Sequence, residues 1–176
     1  AAKQASEQLG RERGSFPLFA ESAYPAQGCA AMRNATVTTI APTGTISIIA
    51  GTSSGIEPVF AISYIRNVLD DDKLVEVHPY FEQVARGRGF YSRELMEEIA
   101  EKGSLHGVAG VPEDVRRTFV TAHDITPEYH LRMQGAFQES TDNAVSKTVN
   151  FPSAATQDDV RAAYDLAYQL GLKGVT

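Results

Sequence analysis

The stretch ATVTTIAPTGTISIIAGTSSGIEPVF, residues 35–60, decides how the rest of this chain is interpreted. Its β-branched opening at residues 36–40 is typical of a buried strand. Residues 45–50 predict a short helix, and the connection between the two is Ala-Pro-Thr-Gly. A second cluster of small residues follows at 51–55, and the whole stretch contains no lysine. The sequence therefore predicts a strand, a loop of hydroxyl and glycine residues, and a helix.

The loop has the composition of an anion site made from neutral groups. The first amides of a helix lack internal partners and carry the positive end of its dipole. Gly44 allows an anion to approach the backbone, and Thr43, Thr45 and Ser47 supply hydroxyl donors. Neither a Walker loop nor a dinucleotide fingerprint is present. The residues alone leave two interpretations open, a phosphate-binding loop and an ordinary capped turn.

Composition limits the class of protein. The chain has 176 residues, of which 43% are hydrophobic, as expected for one domain or a large piece of one. A net charge of −6 without a long basic run argues against duplex DNA or an anionic membrane as a partner. Cys29 is the only cysteine, which excludes an internal disulfide and favours a reducing compartment. The cytoplasm is the simplest predicted location.

Caps, prolines and glycines predict the remaining elements. A helix is expected over residues 1–12, an extended segment over 60–68 and an acidic turn over 70–72. The later helices have proline or a capping residue at their starts, at Pro79, Ser92, Pro112, Thr126 with Pro127, and Thr156 with Asp159. The final residues resemble the beginning of a strand, which indicates a fragment of a longer protein.

Three segments, in order, resemble one enzyme family. They are RNATVTTIAPTGTISIIAGTSSGIEPVFA at 33–61, QESTDNAVSKTVNFP at 138–152 and AYQLGLKGVT at 167–176. Together they are similar to the adenosylcobalamin-dependent, class II ribonucleotide reductases, and the resemblance covers most of the chain after Cys29. The fold that this implies is α/β, a helix-rich partial segment of the family's ten-stranded α/β barrel. Residues 1–176 would then be a single fragment from the C-terminal part of that catalytic domain.

The resemblance also implies a reaction and its participants. The parent enzyme would convert ribonucleotides to deoxyribonucleotides by thiyl-radical chemistry started by adenosylcobalamin. Its expected partners are the ribonucleotide substrate, the remainder of the same polypeptide and a thioredoxin-like reductant, with no nucleic acid or membrane. The family's catalytic cysteines match no part of this chain, so the fragment alone is expected to be inactive. A non-enzymatic nucleotide- or phosphate-binding module and an inert scaffold fragment are the alternatives.

The family's substrate loop matches one segment of this sequence. By that resemblance the residues that bind the substrate diphosphate are Thr43, Gly44, Thr45, Ile46 and Ser47. Asn143, Ser146 and Lys147 would line the nucleotide site, although an exposed lysine and ordinary loop residues explain them equally well. Glu57 is interpreted as a buried acid with its hydrogen bonds satisfied. No catalytic residue and no metal site is predicted within the chain.

Overall fold

The computed structural model describes residues 1–67 and 73–176, so the predicted acidic turn at 70–72 and Val68 lie outside the described residues. Over the described residues the chain forms seven α-helices and one pair of strands. The helices are α1 Ala2–Arg13, α2 Gly44–Ala50, α3 Pro79–Gly87, α4 Arg93–Lys102, α5 Glu113–Thr118, α6 Pro127–Gln138 and α7 Gln157–Gln169. The strands are β1 Ser63–Asn67 and β2 Lys73–Val77. None of these helices combines the length and the apolar character needed to cross a membrane.

The predicted caps are confirmed at three helix starts. The Ser92 side chain accepts the amide of Leu95 at 3.1 Å, and the Thr126 side chain accepts the amide three residues later. Thr156 and Asp159 form a reciprocal capping box at the start of α7. These side chains satisfy amides that the first turn of a helix leaves without partners. The sequence could predict them because each cap involves only neighbouring residues.

One hydrophobic core joins the strand pair to helices α3, α4 and α5. β1 and β2 are antiparallel, with Ser63 opposite Val77. Helix α4 packs on this pair, and its Met96 and Ile99 are buried. The buried residues of this core are Ile62, Phe81, Met96, Ile99, Leu105, Val108, Val111 and Val115.

A second core lies between α6, α7 and the segments that contain residues 149–151 and 172–175. Its buried residues are Leu131, Val149, Ala163 and Ala167. The segment at 36–40 pairs in parallel with the segment at 143–149 through a bridge between Ile40 and Val145. The Val149 amide in turn donates to the Thr176 carbonyl at 2.8 Å. These hydrogen bonds bring the loop that follows residue 40 next to the segment that contains residues 143–149.

The segment at 36–40 differs from its prediction as a buried strand. Among the described residues its one bridge joins Ile40 to Val145, and its side chains are half-buried or exposed. A β-branched run reports a preference for a pleated conformation, whereas burial depends on neighbours that are distant in sequence. The prediction of a buried strand was therefore wrong in its burial, and of a strand ladder only the bridge at Ile40 is present.

Helix α1 is attached to the start of this segment. Asp142 accepts the Val37 amide at 2.8 Å and forms an ion pair with Lys3 at 3.0 Å. The Val37 amide, together with Lys3, lowers the pKa of Asp142. In addition, a Cβ atom at Gly10 would lie 2.7 Å from the backbone nitrogen of Met32, so glycine is required where α1 contacts residues 32–33.

Candidate functional site

The loop before α2 has an unusual backbone conformation. Thr43 precedes the helix with φ 52° and ψ 27°, and among the described residues it is the one non-glycine with positive φ. A β-branched residue in this region is strained. The Thr43 carbonyl accepts the Ser47 amide at 2.9 Å and so closes the first turn. The amides of Gly44, Thr45 and Ile46 are consequently the first three of the helix, which have no partner within it.

Hydroxyl groups connect the two clusters of small residues. The Gly55 amide donates to Thr43 Oγ1 at 2.9 Å. Ser47 Oγ donates to the Gly44 carbonyl at 2.8 Å and is hydrogen-bonded to Ser54 Oγ at 2.9 Å. Gly51, with φ 65°, ends the helix and turns the chain back toward the loop. Several of the hydroxyls in this stretch therefore stabilise the loop itself.

The five residues predicted to bind phosphate lie together but differ in accessibility. Gly44, Thr45 and Ile46 are exposed, Thr43 is half-buried and Ser47 is 7% exposed. The amide and the hydroxyl of Ser47 both form hydrogen bonds within the loop. In this conformation the donors that belong to exposed residues are the amides of Gly44, Thr45 and Ile46 and the Thr45 hydroxyl. The assignment of all five residues to phosphate remains a prediction.

The three residues predicted to line a nucleotide site have different surroundings. Asn143 is exposed, and its amide donates to the Thr38 carbonyl at 3.1 Å. Ser146 is half-buried, and its amide donates to the Ile40 carbonyl at 2.9 Å. Lys147 is buried in the interior. Asn143 and Ser146 thus lie on the segment beside residues 36–40, whereas the Lys147 ammonium group is directed away from the surface.

The buried Lys147 is the centre of a polar network. Its Nζ lies 2.7 Å from Glu57 Oε2, 2.8 Å from His130 Nδ1 and 2.6 Å from the Thr148 carbonyl. The Thr148 amide donates to the other carboxylate oxygen of Glu57. His130 Nε2 lies 3.0 Å from the Ala122 carbonyl. The prediction that Glu57 has satisfied hydrogen bonds is therefore confirmed, although its side chain remains 24% exposed.

Sequence reasoning missed the role of Lys147 and His130. Val145, Lys147 and Val149 are all buried, as expected for alternate residues on one face of an extended segment. That alternation was a signal that Lys147 faces the core. No comparable signal marked Glu57 as its partner, because 90 residues separate them.

The side chains that could ligate a metal ion do not come together in the part of the chain that the structure describes. No cluster of three or more potential metal ligands occurs among them. Both ring nitrogens of His130 contact protein groups, and Cys29 Sγ contacts the Ala31 carbonyl. Two buried side-chain atoms of the described part lack hydrogen-bond partners, His78 Nδ1 and Gln134 Oε1. No residue is therefore assigned to a cofactor.

Comparison with known proteins identifies the family. The family model described as "Ribonucleotide reductase, barrel domain" matches residues 27–176. The vitamin B12-dependent ribonucleoside-diphosphate reductase of Mycobacterium tuberculosis H37Rv is 51% identical over 176 residues, which are 100% of this chain and 24% of the relative. The enzyme of the same name from Thermoplasma acidophilum is 50% identical over 173 residues, which are 98% of this chain and 22% of the relative.

A solved structure agrees at the level of fold. The class Id ribonucleotide reductase alpha subunit of Actinobacillus ureae matches with a TM-score of 0.74 and 23% identity, over 98% of this chain and 30% of the subunit. The chain thus spans about a quarter of the length of the curated relatives. Its helices and extended segments correspond to part of an α/β barrel. The chain belongs to the ribonucleotide reductase family and matches its barrel domain.

Proposed function

We propose that residues 1–176 are a C-terminal part of the catalytic barrel of a vitamin B12-dependent ribonucleoside-diphosphate reductase, and that their share of the reaction is to hold the substrate's diphosphate. About 50% identity to reductases of that name over nearly the whole chain supports the parent activity. One observation carries the proposed binding role: the first three amides of α2 belong to the exposed residues Gly44, Thr45 and Ile46, directly after the left-handed Thr43. Residues 42–47 are the proposed phosphate loop.

The phosphate loop can bind an anion without a basic side chain. The amides of Gly44, Thr45 and Ile46 and the Thr45 hydroxyl are donors at the positive end of a helix. Hydrogen bonds to charged groups are worth about 1.5–3 kcal/mol each. Because three of these donors are backbone amides, they are oriented before the ligand arrives and need little reorganisation. A diphosphate is therefore held in place without a mobile cation beside the radical chemistry.

The remaining steps of the parent reaction are assigned to other parts of the polypeptide. In the parent enzyme the ribose 2′-hydroxyl is replaced by hydrogen, and a pair of cysteines recycled by a thioredoxin-like reductant supplies the electrons. Adenosylcobalamin would supply the initiating radical when bound. Cys29 is the only thiol in this chain, and two thiols are needed to form a disulfide. We therefore propose that the fragment is inactive alone.

The location and partners of the parent follow from the same proposal. We place it in the cytoplasm, with the ribonucleotide and the remainder of the polypeptide as partners and with no nucleic acid or membrane. The net charge of −6 supports the lack of a nucleic-acid partner, since such proteins present basic patches to the phosphate backbone.

Amide NMR of the chain titrated with a ribonucleoside diphosphate tests the binding role. We expect the Gly44, Thr45 and Ile46 amides to shift with the diphosphate and not with the unphosphorylated nucleoside. Thr45→Val, which removes one donor and keeps the side-chain shape, should weaken binding about tenfold. Thr52→Val is the matched control, because Thr52 is exposed and its hydroxyl bonds the Ser53 carbonyl.

Three results would contradict the proposal in different ways. Equal shifts with sulfate would make the loop a generic anion site, as in a simple phosphate-binding module. A well-folded chain without shifts would support the inert scaffold instead. Equal weakening by both threonine variants would exclude a specific role for the Thr45 hydroxyl.

A further inference from the structure

A buried lysine with all of its donors used is bonded to Glu57, which follows the turn that contacts the phosphate loop. The Lys147 side chain is 2% exposed. An ammonium group has three protons, and here the three acceptors are Glu57 Oε2, His130 Nδ1 and the Thr148 carbonyl. None of these protons is left for a ligand. Lys147 therefore acts on its surroundings and does not contact a substrate.

The lysine also sets the state of the histidine beside it. Because Nδ1 of His130 accepts from Lys147, the proton of the neutral ring is on Nε2 and is donated to the Ala122 carbonyl. His130 is 1% exposed, and burial, with the nearby charge of Lys147, lowers its pKa. The Glu57–Lys147–His130 network thus has a single arrangement of protons that joins α6 to residue 57.

The network reaches the phosphate loop through Gly55. The Glu57 amide donates to the Ser54 carbonyl at 2.8 Å, which makes residues 54–57 a tight turn. Within that turn the Gly55 amide donates to Thr43 Oγ1, and Thr43 is the strained residue that precedes the first exposed amides of α2. A Cβ atom at Gly55 would lie 3.2 Å from the Ala41 carbonyl, so the turn is also in close contact with the start of the loop.

Stability alone does not account for such a network. Removing charged groups from water is costly, and apolar residues of similar volume are often at least as stabilising as a buried ion pair. A charged pair differs from an apolar one in its directional hydrogen bonds, which fix one geometry. Here those bonds fix Glu57 between the Thr148 amide and Lys147.

We propose that Glu57, Lys147 and His130 are positioning residues that hold the phosphate loop in its anion-binding form through the hydrogen bond between Gly55 and Thr43. The proposal rests on the function proposed above for that loop. It predicts that disrupting the network loosens a site that none of the three side chains touches.

Two variants test the proposal in the 176-residue chain. Lys147→Met leaves Glu57 without its cation, and Glu57→Leu/Lys147→Met removes the whole pair, which avoids an unpaired buried charge. Lys3→Met is the matched control, because it removes a lysine–carboxylate pair at Asp142 instead. The readouts are hydrogen exchange of the Gly55 and Ser47 amides, the imidazole ¹⁵N shifts of His130 and the affinity for inorganic pyrophosphate.

We expect both network variants to increase exchange at Gly55 at least tenfold and to weaken pyrophosphate binding about tenfold, while amides of α4 remain protected. The ¹⁵N shift of His130 Nδ1 should move toward that of an imidazole nitrogen that accepts no hydrogen bond. Lys3→Met should change none of these readouts. If the network acted only by balancing charge, the double variant, which leaves no unpaired charge, would recover the exchange rates and the affinity of the unmodified chain. If the network positions the loop, the double variant will not recover them.

The outcomes separate this proposal from the proposed function. If the folded double variant keeps the protection of Gly55 and binds pyrophosphate as the unmodified chain does, the positioning role is overturned. If the unmodified chain does not bind pyrophosphate, the proposed function fails, and the exchange of Gly55 alone decides whether the network positions the loop.

Discussion

At the scale of the residue, the burial of His130 makes the stability of the folded chain depend on pH. Burial is the largest cause of its lowered pKa, and the Lys147 charge acts in the same direction, against the Ala122 hydrogen bond. The unfolded chain has a histidine pKa of about 6.5. Between the lowered folded value and about 6.5, the unfolded state therefore binds more protons than the folded state. The contribution of His130 to stability is present above that range and is lost as the pH falls through it.

The first prediction concerns this dependence on pH. Between about pH 6.5 and 5.5 we expect the free energy of unfolding to fall by at most about 1.4 kcal/mol per pH unit on account of His130. Urea unfolding at several pH values measures it. His130→Gln is the control, because glutamine offers a donor and an acceptor without titrating in this range. If the free energy of unfolding of the variant depended on pH in the same way, other groups would be responsible for that dependence.

The role of a residue could be predicted from the sequence only where the groups that it contacts are close in sequence. Gly44 and its neighbours were recognised as a loop from four consecutive residues. For Lys147 the sequence left open a place in the nucleotide site or an exposed position, and its burial excludes the exposed position. Its partners Glu57 and His130 are 90 and 17 residues away, and no local pattern specifies such pairs.

At the scale of the element, helices were predicted well because their signals are local. The predicted caps at Ser92 and Thr156 and the prolines at positions 79 and 127 stand at the observed starts. The Asp159 pKa is lowered by hydrogen bonds from the Thr156 amide and hydroxyl, as expected for an N-terminal carboxylate. Extended segments were harder, because residues 36–40 depend on partners more than 100 residues away.

The second prediction concerns the cap of α4. Ser92→Ala removes the acceptor for the Leu95 amide and should lower the free energy of unfolding by about 1 kcal/mol. Ser92→Asp keeps an acceptor and adds a charge that favours the helix dipole, so it should retain the stability. Chemical denaturation of the three proteins measures the difference. Equal loss in both variants would show that the Ser92 contact is not a cap.

At the scale of the whole molecule, one glutamine joins two segments of the second core. Gln134 on α6 is 0% exposed, and its Nε2 donates to the carbonyls of Val145 and Gly174 at 2.9 and 2.8 Å. The helix thereby holds the 143–149 segment beside the end of the chain. Contacts across 40 residues of sequence cannot be read from periodicity, so sequence reasoning did not identify Gln134.

The third prediction concerns this connection. Gln134→Leu keeps the approximate volume but leaves the buried Val145 carbonyl without its donor and removes a second hydrogen bond, to the Gly174 carbonyl, so we expect a loss of about 2 kcal/mol in stability. Amides at residues 172–176 should exchange faster than those of α4. Gln169→Leu, on the exposed side of α7, is the control and should have little effect. Unchanged stability in Gln134→Leu would show that water or another group replaces the lost donor.

The left-handed Thr43 has a consequence for how this chain would respond to selection. A threonine with φ 52° costs about 1–2 kcal/mol that glycine or asparagine would avoid. A library randomised at position 43 and sorted only for folded protein should therefore enrich glycine and asparagine. Sorted for diphosphate binding, the same library should retain threonine, because its hydroxyl holds Gly55. The two sorted libraries should therefore differ in their most frequent residue at position 43, because folding and binding favour different residues there.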